Sequence, residues 1–456
     1  MSDTGDGQFD AIVIGAGVSG LCQLHALRGL GLRAVVLEAG GGLGGTWYWN
    51  RYPGCRFDSE SYTYAFSFDD DLLADWDWSE HFSAQPETLA YLEFVADRLD
   101  LRRDLRFDHR VRTAAFDDAG GHWTVTADRP DGPATFEARY LITAVGALST
   151  PTFPVIEGLD PTTGDDVFDG PSHHTGLWPH EPVDLAGKRV GVIGTGASGV
   201  QVIQEIAKAA DRLTVFQRRP NWCAPLHNTA ITDDEQPALK ARYGELYQRC
   251  AETFGGFVHD ADRRKALEVS EEERLENWER LYAEPGFGIW MGNFRDVLVN
   301  AEANRLMSEF AAQKIRDRVD DPDLAERLIP TDHGFGTRRV PMETNYYEVY
   351  NQPNVRLVDL RDTPISAIVP QGVSTLSPDG VEIHELDLLV YATGFDAVTG
   401  AFDRIEFTGA GGQRLRDRWS DGPLTHLGTQ IPGFPNLFML VGPHNAATFC
   451  NMPRCI

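Results

Sequence analysis

The sequence predicts an α/β protein with two Rossmann-like dinucleotide-binding domains and a helical insertion in the second. Two glycine motifs and one change of texture predict it. Residues 10–14 run straight into Gly15-x-Gly17-x-x-Gly20, and residues 188–193 run into Gly194-x-Gly196-x-x-Gly199. Each is a short apolar strand, a tight turn and a helix start, the arrangement on which a dinucleotide pyrophosphate sits. One such motif is weak evidence; two in one chain suggest two dinucleotides facing each other. From residue 231 to 328 charge density rises and apolar residues recur at helical spacing, notably over 261–278 and 304–318.

Composition sets outer limits. At 456 residues the chain exceeds a single core and suits two or three domains. Hydrophobic residues make up 42% and charged residues 24%, the proportions of a globular protein. A formal charge of −27 argues against nucleic acid and anionic membrane surfaces as partners. No apolar run is long enough to span a membrane. The acidic start MSDTGDGQFD does not read as a signal peptide. The six cysteines form no CxxC pair, which counts against a zinc site or a redox disulfide. Free thiols point to a reducing cytoplasm, and a monomer is expected.

Taken in order, residues 11–14 suit a parallel strand buried on both faces. A helix follows Gly20, and a second strand over 34–37 ends at Glu38. An acid at that spacing accepts hydrogen bonds from the adenosine ribose and repels a 2′-phosphate, so this unit should hold FAD or NAD. The bland alternative is an ordinary charge at a strand end. The glycine-dense run 40–45 then lets backbone lie flat against a ligand. A helix is expected over 86–99, strands over 106–116 and 122–127, and an apolar strand over 140–145. The run 388–394 has the same form as 140–146, and both read as closing strands where the chain crosses between domains.

In the second unit Gln217 stands where the acid would be, followed by Arg218 and Arg219. Removing the acid and adding guanidinium forks suits a 2′-phosphate, so the second cofactor should be NADPH. Thr195 and Ser198 lie within this turn. Strands over 354–359 and 385–391 should return the chain to the first domain. The expected limits are 1–150 for the first part of the FAD-binding domain and 151–228 for the first part of the NADP-binding domain. The insertion takes 229–330, the second part of the NADP domain 331–385, and the second part of the FAD domain 386–456.

One stretch carries a closer likeness. Phe168-x-Gly170-x-x-x-His174-x-x-x-Trp178-Pro179 resembles the fingerprint of the type I Baeyer–Villiger monooxygenases, flavoenzymes that insert oxygen beside a ketone carbonyl. In that family the fingerprint works as a linker. A linker pinned by a buried Trp and a capping His is the plain reading of the same residues. The run GGTWYWNRYPGCRFDSESYTY resembles the family's flavin-contacting segment. The likeness assigns Gly45, Thr46, Trp47, Tyr64 and Val111 to FAD contact and puts Asp58 near the reactive edge of the ring. Asp58 also reads as a helix cap.

The run GFGTRRVPMETNYY resembles the segment with the family's essential arginine. Residue for residue, Arg338 becomes an NADP-phosphate contact and Arg339 the catalytic cation, unless Arg339 simply pairs with Glu343. The loop near the end, with Phe449, Asn451 and Met452, resembles the substrate-facing loop. Phe287 to Trp290 read equally as substrate contact or core. The resemblance implies conversion of a ketone to an ester or lactone with NADPH and O₂ through a C4a-peroxyflavin. Family chains continue past this loop, whereas this one stops at Ile456. Weak FAD binding, with NADPH oxidation uncoupled from oxygenation, is the expectation that follows. Other readings are a flavin-binding protein without turnover and an N- or S-oxidising flavin monooxygenase.

Overall fold

The computed structural model describes residues 8–445 and 450–455. The first sheet opens with β1 (Gln8–Ile14), β2 (Ala34–Leu37), β3 (Leu105–Arg106), β4 (Arg110–Asp117), β5 (His122–Asp128) and β6 (Ala134–Thr143). The chain then crosses to a second sheet with β7 (Ser172–His174), β8 (Arg189–Ile193) and β9 (Arg212–Gln217). Short strands β10 (Ala224–Pro225) and β11 (Met342–Glu343) bracket the insertion. Beyond it come β12 (Val355–Asp359), β13 (Ile365–Val369), β14 (Gly372–Ser377), β15 (Gly380–Glu385) and β16 (Leu388–Tyr391). Last are β17 (Glu406–Thr408) and β18 (Leu437–Met439). The first sheet runs β17-β4-β5-β6-β1-β2-β3, with β18 also on β6, and the second runs β12-β9-β8-β16-β7.

The central strands follow from their residues. Ala11–Ile14 and all of β2 are buried, as continuous apolar runs covered on both faces should be. β6 starts earlier than its apolar run. Its first half alternates and pairs antiparallel with β5, Trp123 opposite Ala138, while Leu141, Ile142 and Thr143 lie between β1 and β18. Only the doubly covered half carries the apolar signal.

Two expectations change. β16 pairs parallel with both β8 and β7, so the second sheet keeps the chain to Tyr391, and the return lies after it rather than at 386. β12 likewise belongs to the second sheet, against β9. A run of four apolar residues looks the same as a central strand of either sheet, so length and composition could not place it. The antiparallel sheet β13-β14-β15 was not foreseen, because its strands are half-exposed and interrupted by turns.

The insertion is helical as expected, over Gln236–Ala241, Tyr243–Glu252, Glu271–Ala283, Gly288–Met291, Ala301–Arg316 and Pro322–Leu328. The helix expected over 261–278 begins only at Glu271, because the Ser270 hydroxyl caps it by accepting from Glu273 N–H at 3.1 Å. Asn300 caps Ala301–Arg316 in the same way, accepting from Glu302 and Ala303. Residues 79–81 pair with the entry to the insertion, through Ile231 N–H to Ser79 O and His81 N–H to Thr229 O. One continuous apolar core therefore joins β1 and β2, helix Ala197–Ala209 and the insertion. No described helix is long and apolar enough to cross a membrane. Cys22, Cys55, Cys223 and Cys250 are free thiols, but Cys450 is disulfide-bonded. Free thiols throughout is thus wrong at Cys450.

Candidate active site between the two units

Both glycine turns are built alike. Gly15 and Gly194 have φ of +105° and +110°, a region that only glycine enters cheaply. A Cβ on Gly15 would meet the Ala144 carbonyl at 2.5 Å, and one on Gly194 would meet the Ala392 carbonyl at 2.4 Å. Gly20 and Gly199 close on the oxygens of Gly15 and Gly194. Helices Val18–Gly29 and Ala197–Ala209 start from Gly17 and Gly196, neither with a side-chain cap. By contrast, Ser270 and Asn300 cap the first N–H groups of two insertion helices. Two helix starts left open after tight turns fit two pyrophosphates.

Around the first turn, Glu38 is buried, with one oxygen accepting from Ala16 N–H at 2.7 Å and the other from Gly40 N–H at 2.8 Å. Burial raises its pKa, against those backbone donors. A Cβ on Gly45 would approach Gly17 Cα at 2.8 Å, so the start of Thr46–Trp49 lies against the turn. Trp47 is buried, its indole N–H donating to Tyr64 OH at 2.8 Å, with Phe57 stacked on Tyr64. Thr46 is exposed, and Val111 is buried on β4.

Around the second turn the expected selector is displaced. Gln217 is fully buried and donates to the Arg327 carbonyl at 2.8 Å, so it turns into the protein. Arg218 and Arg219 are exposed. The Thr195 hydroxyl donates to the Arg219 carbonyl at 2.9 Å, tying that backbone to the turn. Arg338 Nη2 lies 3.2 Å and Arg219 Nε 3.6 Å from Asp332 Oδ2. Ser198 faces Tyr52 of the first unit, and Tyr52 OH donates to Gln201 at 2.8 Å. The helix of the second turn is thereby docked on the glycine-rich segment of the first.

Arg339 and Asp58, 281 residues apart in sequence, come together at 3.1 Å. Asp58 is buried and Arg339 partly exposed. The guanidinium lies 4.9 Å from the Phe287 ring centre and 5.8 Å from that of Trp290, both buried. The apolar stretch thus packs in the core and also covers the arginine. Burial pushes the Asp58 carboxyl up, with Arg339 opposing. Its Oδ1 is buried without a hydrogen bond. Glu343, the rival partner, is engaged by Arg318 at 2.7 and 3.0 Å, and Arg318 also grips Glu348 at 2.6 and 2.7 Å.

The fingerprint is a strap. His174 is buried between Phe153 and Phe395, and its Nδ1 accepts from Gly176 N–H at 2.9 Å. Burial lowers its pKa to about 4, so the ring is neutral. Trp178 is buried against His173, and Phe168 lies in the core on the far face of the second sheet. A Cβ on Gly170 would come within 2.9 Å of the Asp387 carbonyl, and Pro179 is half-buried. His180, next along, packs at a tilt against Tyr48, ring centres 4.9 Å apart.

Asn451 ties the final loop to both units. Its N–H donates to the Gly255 carbonyl at 2.7 Å and its amide to the Thr63 hydroxyl at 3.0 Å. Met452 is half-buried, and Phe449 lies outside the described residues. Sequence reasoning missed Asp332, Arg318 and the pairing of buried Glu60 with half-buried His259 at 2.9 Å. Each is an isolated charge whose partner is remote in sequence or hidden in the insertion, so no local pattern marks it.

Residues 12–276 match the pyridine nucleotide-disulphide oxidoreductase family. The chain is 47% identical over 453 residues to 2-oxo-Delta(3)-4,5,5-trimethylcyclopentenylacetyl-CoA monooxygenase of Pseudomonas putida, covering 98% of this chain and 81% of that one. It is 44% identical to acetone monooxygenase (methyl acetate-forming) of Gordonia sp. strain TY-5, covering 98% and 82%. The crystal structure of OTEMO in complex with FAD and NADP superposes with a TM-score of 0.93 at 47% identity, covering 98% of this chain and 83% of that one. It is also 41% identical to a Baeyer-Villiger monooxygenase of Pseudooceanicola batsensis, covering 98% of this chain and 79% of that one, and likeness of this extent over nearly the whole chain decides the matter: the chain belongs to the Baeyer–Villiger monooxygenases.

Proposed function

We propose that the chain converts a ketone to an ester or lactone with NADPH and O₂, and that Arg339, held by Asp58, is the cation at the reacting centre. The observation that carries this is the Arg339–Asp58 pair, set between the two units under Phe287 and Trp290. In this reading the open helix start at Gly17, with Glu38, Gly45, Thr46, Trp47, Tyr64 and Val111, holds FAD. The start at Gly196, with Thr195, Ser198, Arg218, Arg219 and Arg338, holds NADPH. FAD, when bound, supplies the redox chemistry that draws hydride from NADPH and activates oxygen.

The protein supplies charge, position and dryness. The Arg339 guanidinium stays protonated at any working pH. Flanked by two aromatic rings and paired with a buried carboxylate, it is held in place, so its N–H groups favour negative charge developing on the substrate carbonyl oxygen. Asp58 holds the fork at Nη2, 3.1 Å away. Asn451 and Met452 are proposed to face the ketone. Cyclic and small linear ketones, of the kind named for the relatives, are the class to screen first.

Replacing Arg339 with Ala or Lys tests the reading. One preorganised donor contributes about 2.7–4 kcal/mol, or roughly a hundred- to thousandfold in rate, and Lys lacks the planar fork. Ester formation, followed by gas chromatography, should be lost. NADPH oxidation should persist and yield hydrogen peroxide, since hydride transfer develops no oxyanion at this residue. Near wild-type ester yield from the Ala variant would make Arg339 structural.

A further inference from the structure

We propose that Asp332 sets how strongly the enzyme prefers NADPH over NADH, by occupying the arginines that would take the 2′-phosphate. This rests on the reading of Arg219 and Arg338 as phosphate contacts. Both guanidinium groups converge on one oxygen, Oδ2, at 3.6 and 3.2 Å. The other oxygen, Oδ1, lies 2.7 Å from His333 Nδ1. The His333 side chain is only 6% exposed, and its carbonyl accepts from the buried Trp222 indole at 3.0 Å. The carboxylate is therefore fixed from behind. The arginine side chains, 59% and 46% exposed, are free to swing. Arg219 is also anchored at its backbone to the glycine turn through Thr195.

The consequence is a competition. A 2′-phosphate carries about −1.5 to −2 charges at neutral pH. To be gripped, it must draw both arginines off Asp332 and then settle beside a fixed negative charge. A 2′-hydroxyl meets neither demand. Asp332 thus weakens NADPH binding and leaves NADH binding nearly untouched. An exposed ion pair contributes little, and repulsion across several ångströms of water adds a similar amount, so the effect should be about three- to tenfold. The sequence hides this, because Asp332 reads as one solvated acid in a loop.

The test is binding of NADP⁺ and NAD⁺ to the FAD-loaded enzyme by isothermal titration calorimetry. Variants are Asp332→Asn, Asp332→Ser, and Arg219→Ala/Arg338→Ala alone and with Asp332→Asn. Both Asp332 variants should tighten NADP⁺ three- to tenfold and leave NAD⁺ unchanged. The Ser variant guards against a new bond from the Asn amide. Without the two arginines, Asp332→Asn should lose most of its effect. If Asp332→Asn weakens NADP⁺ or leaves it unchanged, the competition is refuted, and a weakening would show that Asp332 organises the arginines instead. If the double-arginine variant binds NADP⁺ as wild type does, the phosphate reading itself is wrong, whatever Asp332 does.

Discussion

Asp58 serves Arg339 at a cost to folding. Its folded-state pKa lies above the ordinary value because burial outweighs the nearby arginines. A carboxyl raised in this way weighs against folding while ionised, and lowering pH through the raised pKa relieves that strain. The same proton removes the charge that holds Arg339. Ester formed per NADPH should therefore fall as pH is lowered through that raised pKa, without a parallel loss of stability from this group. In Asp58→Asn this acid limb should vanish, at a uniformly low coupling ratio. A limb that survives in the variant belongs to another group. Arg218 gives a second case. It is exposed beside the second turn, and Arg218→Ala should raise the KM for NADPH by about one to two decades, the worth of charge-assisted bonds of roughly 1.5–3 kcal/mol. NADH kinetics should barely change, and equal losses with both cofactors would remove Arg218 from the phosphate site.

At the scale of elements, the segment that carries Arg339 is braced by the insertion. Arg318 follows helix Ala301–Arg316 and joins Glu343 on β11 to Glu348. Glu343 is fully buried, so Arg318→Met strands a charge and should cost about 3–5 kcal/mol by urea denaturation. Arg318→Met with Glu343→Gln should recover much of that, because the stranded charge is gone. If the double variant is no more stable than the single, the carboxylate is not the source of the loss. The brace was illegible beforehand for a physical reason: glycine turns and apolar strands signal locally, whereas Arg318 and Glu343 meet only through tertiary packing. β16 shows the same limit. Its apolar run was seen, but which sheet it enters is settled by pairing with β8 and β7. What was legible in full is what physics writes into neighbouring residues, namely the two strand–turn–helix units, the capping His174 and the helical texture of the insertion.

At the scale of the molecule, a formal charge of −27 sets folding against self-repulsion. Added salt screens it, so the thermal midpoint should rise between low and moderate ionic strength. NADPH binding should move the other way, because the phosphate contacts proposed for it are exposed arginines. A KM for NADPH indifferent to salt would contradict that placement. Opposite slopes would separate the charge of the whole surface from that of one site in a single titration.

The carbonyls that brace the two turns also set an order of assembly during translation. Gly15 rests on Ala144, and Gly194 on Ala392. The first support is synthesised at residue 144, before the second unit begins. The second is synthesised only at residue 392, after the entire insertion. The nucleotide turn nearer the N-terminus can thus take its final shape while the other waits for a distant strand, as domains that fold in sequence do. Force-profile measurements on stalled nascent chains should register an early event after residue 144 and a late one after residue 392, and one late event alone would contradict this order.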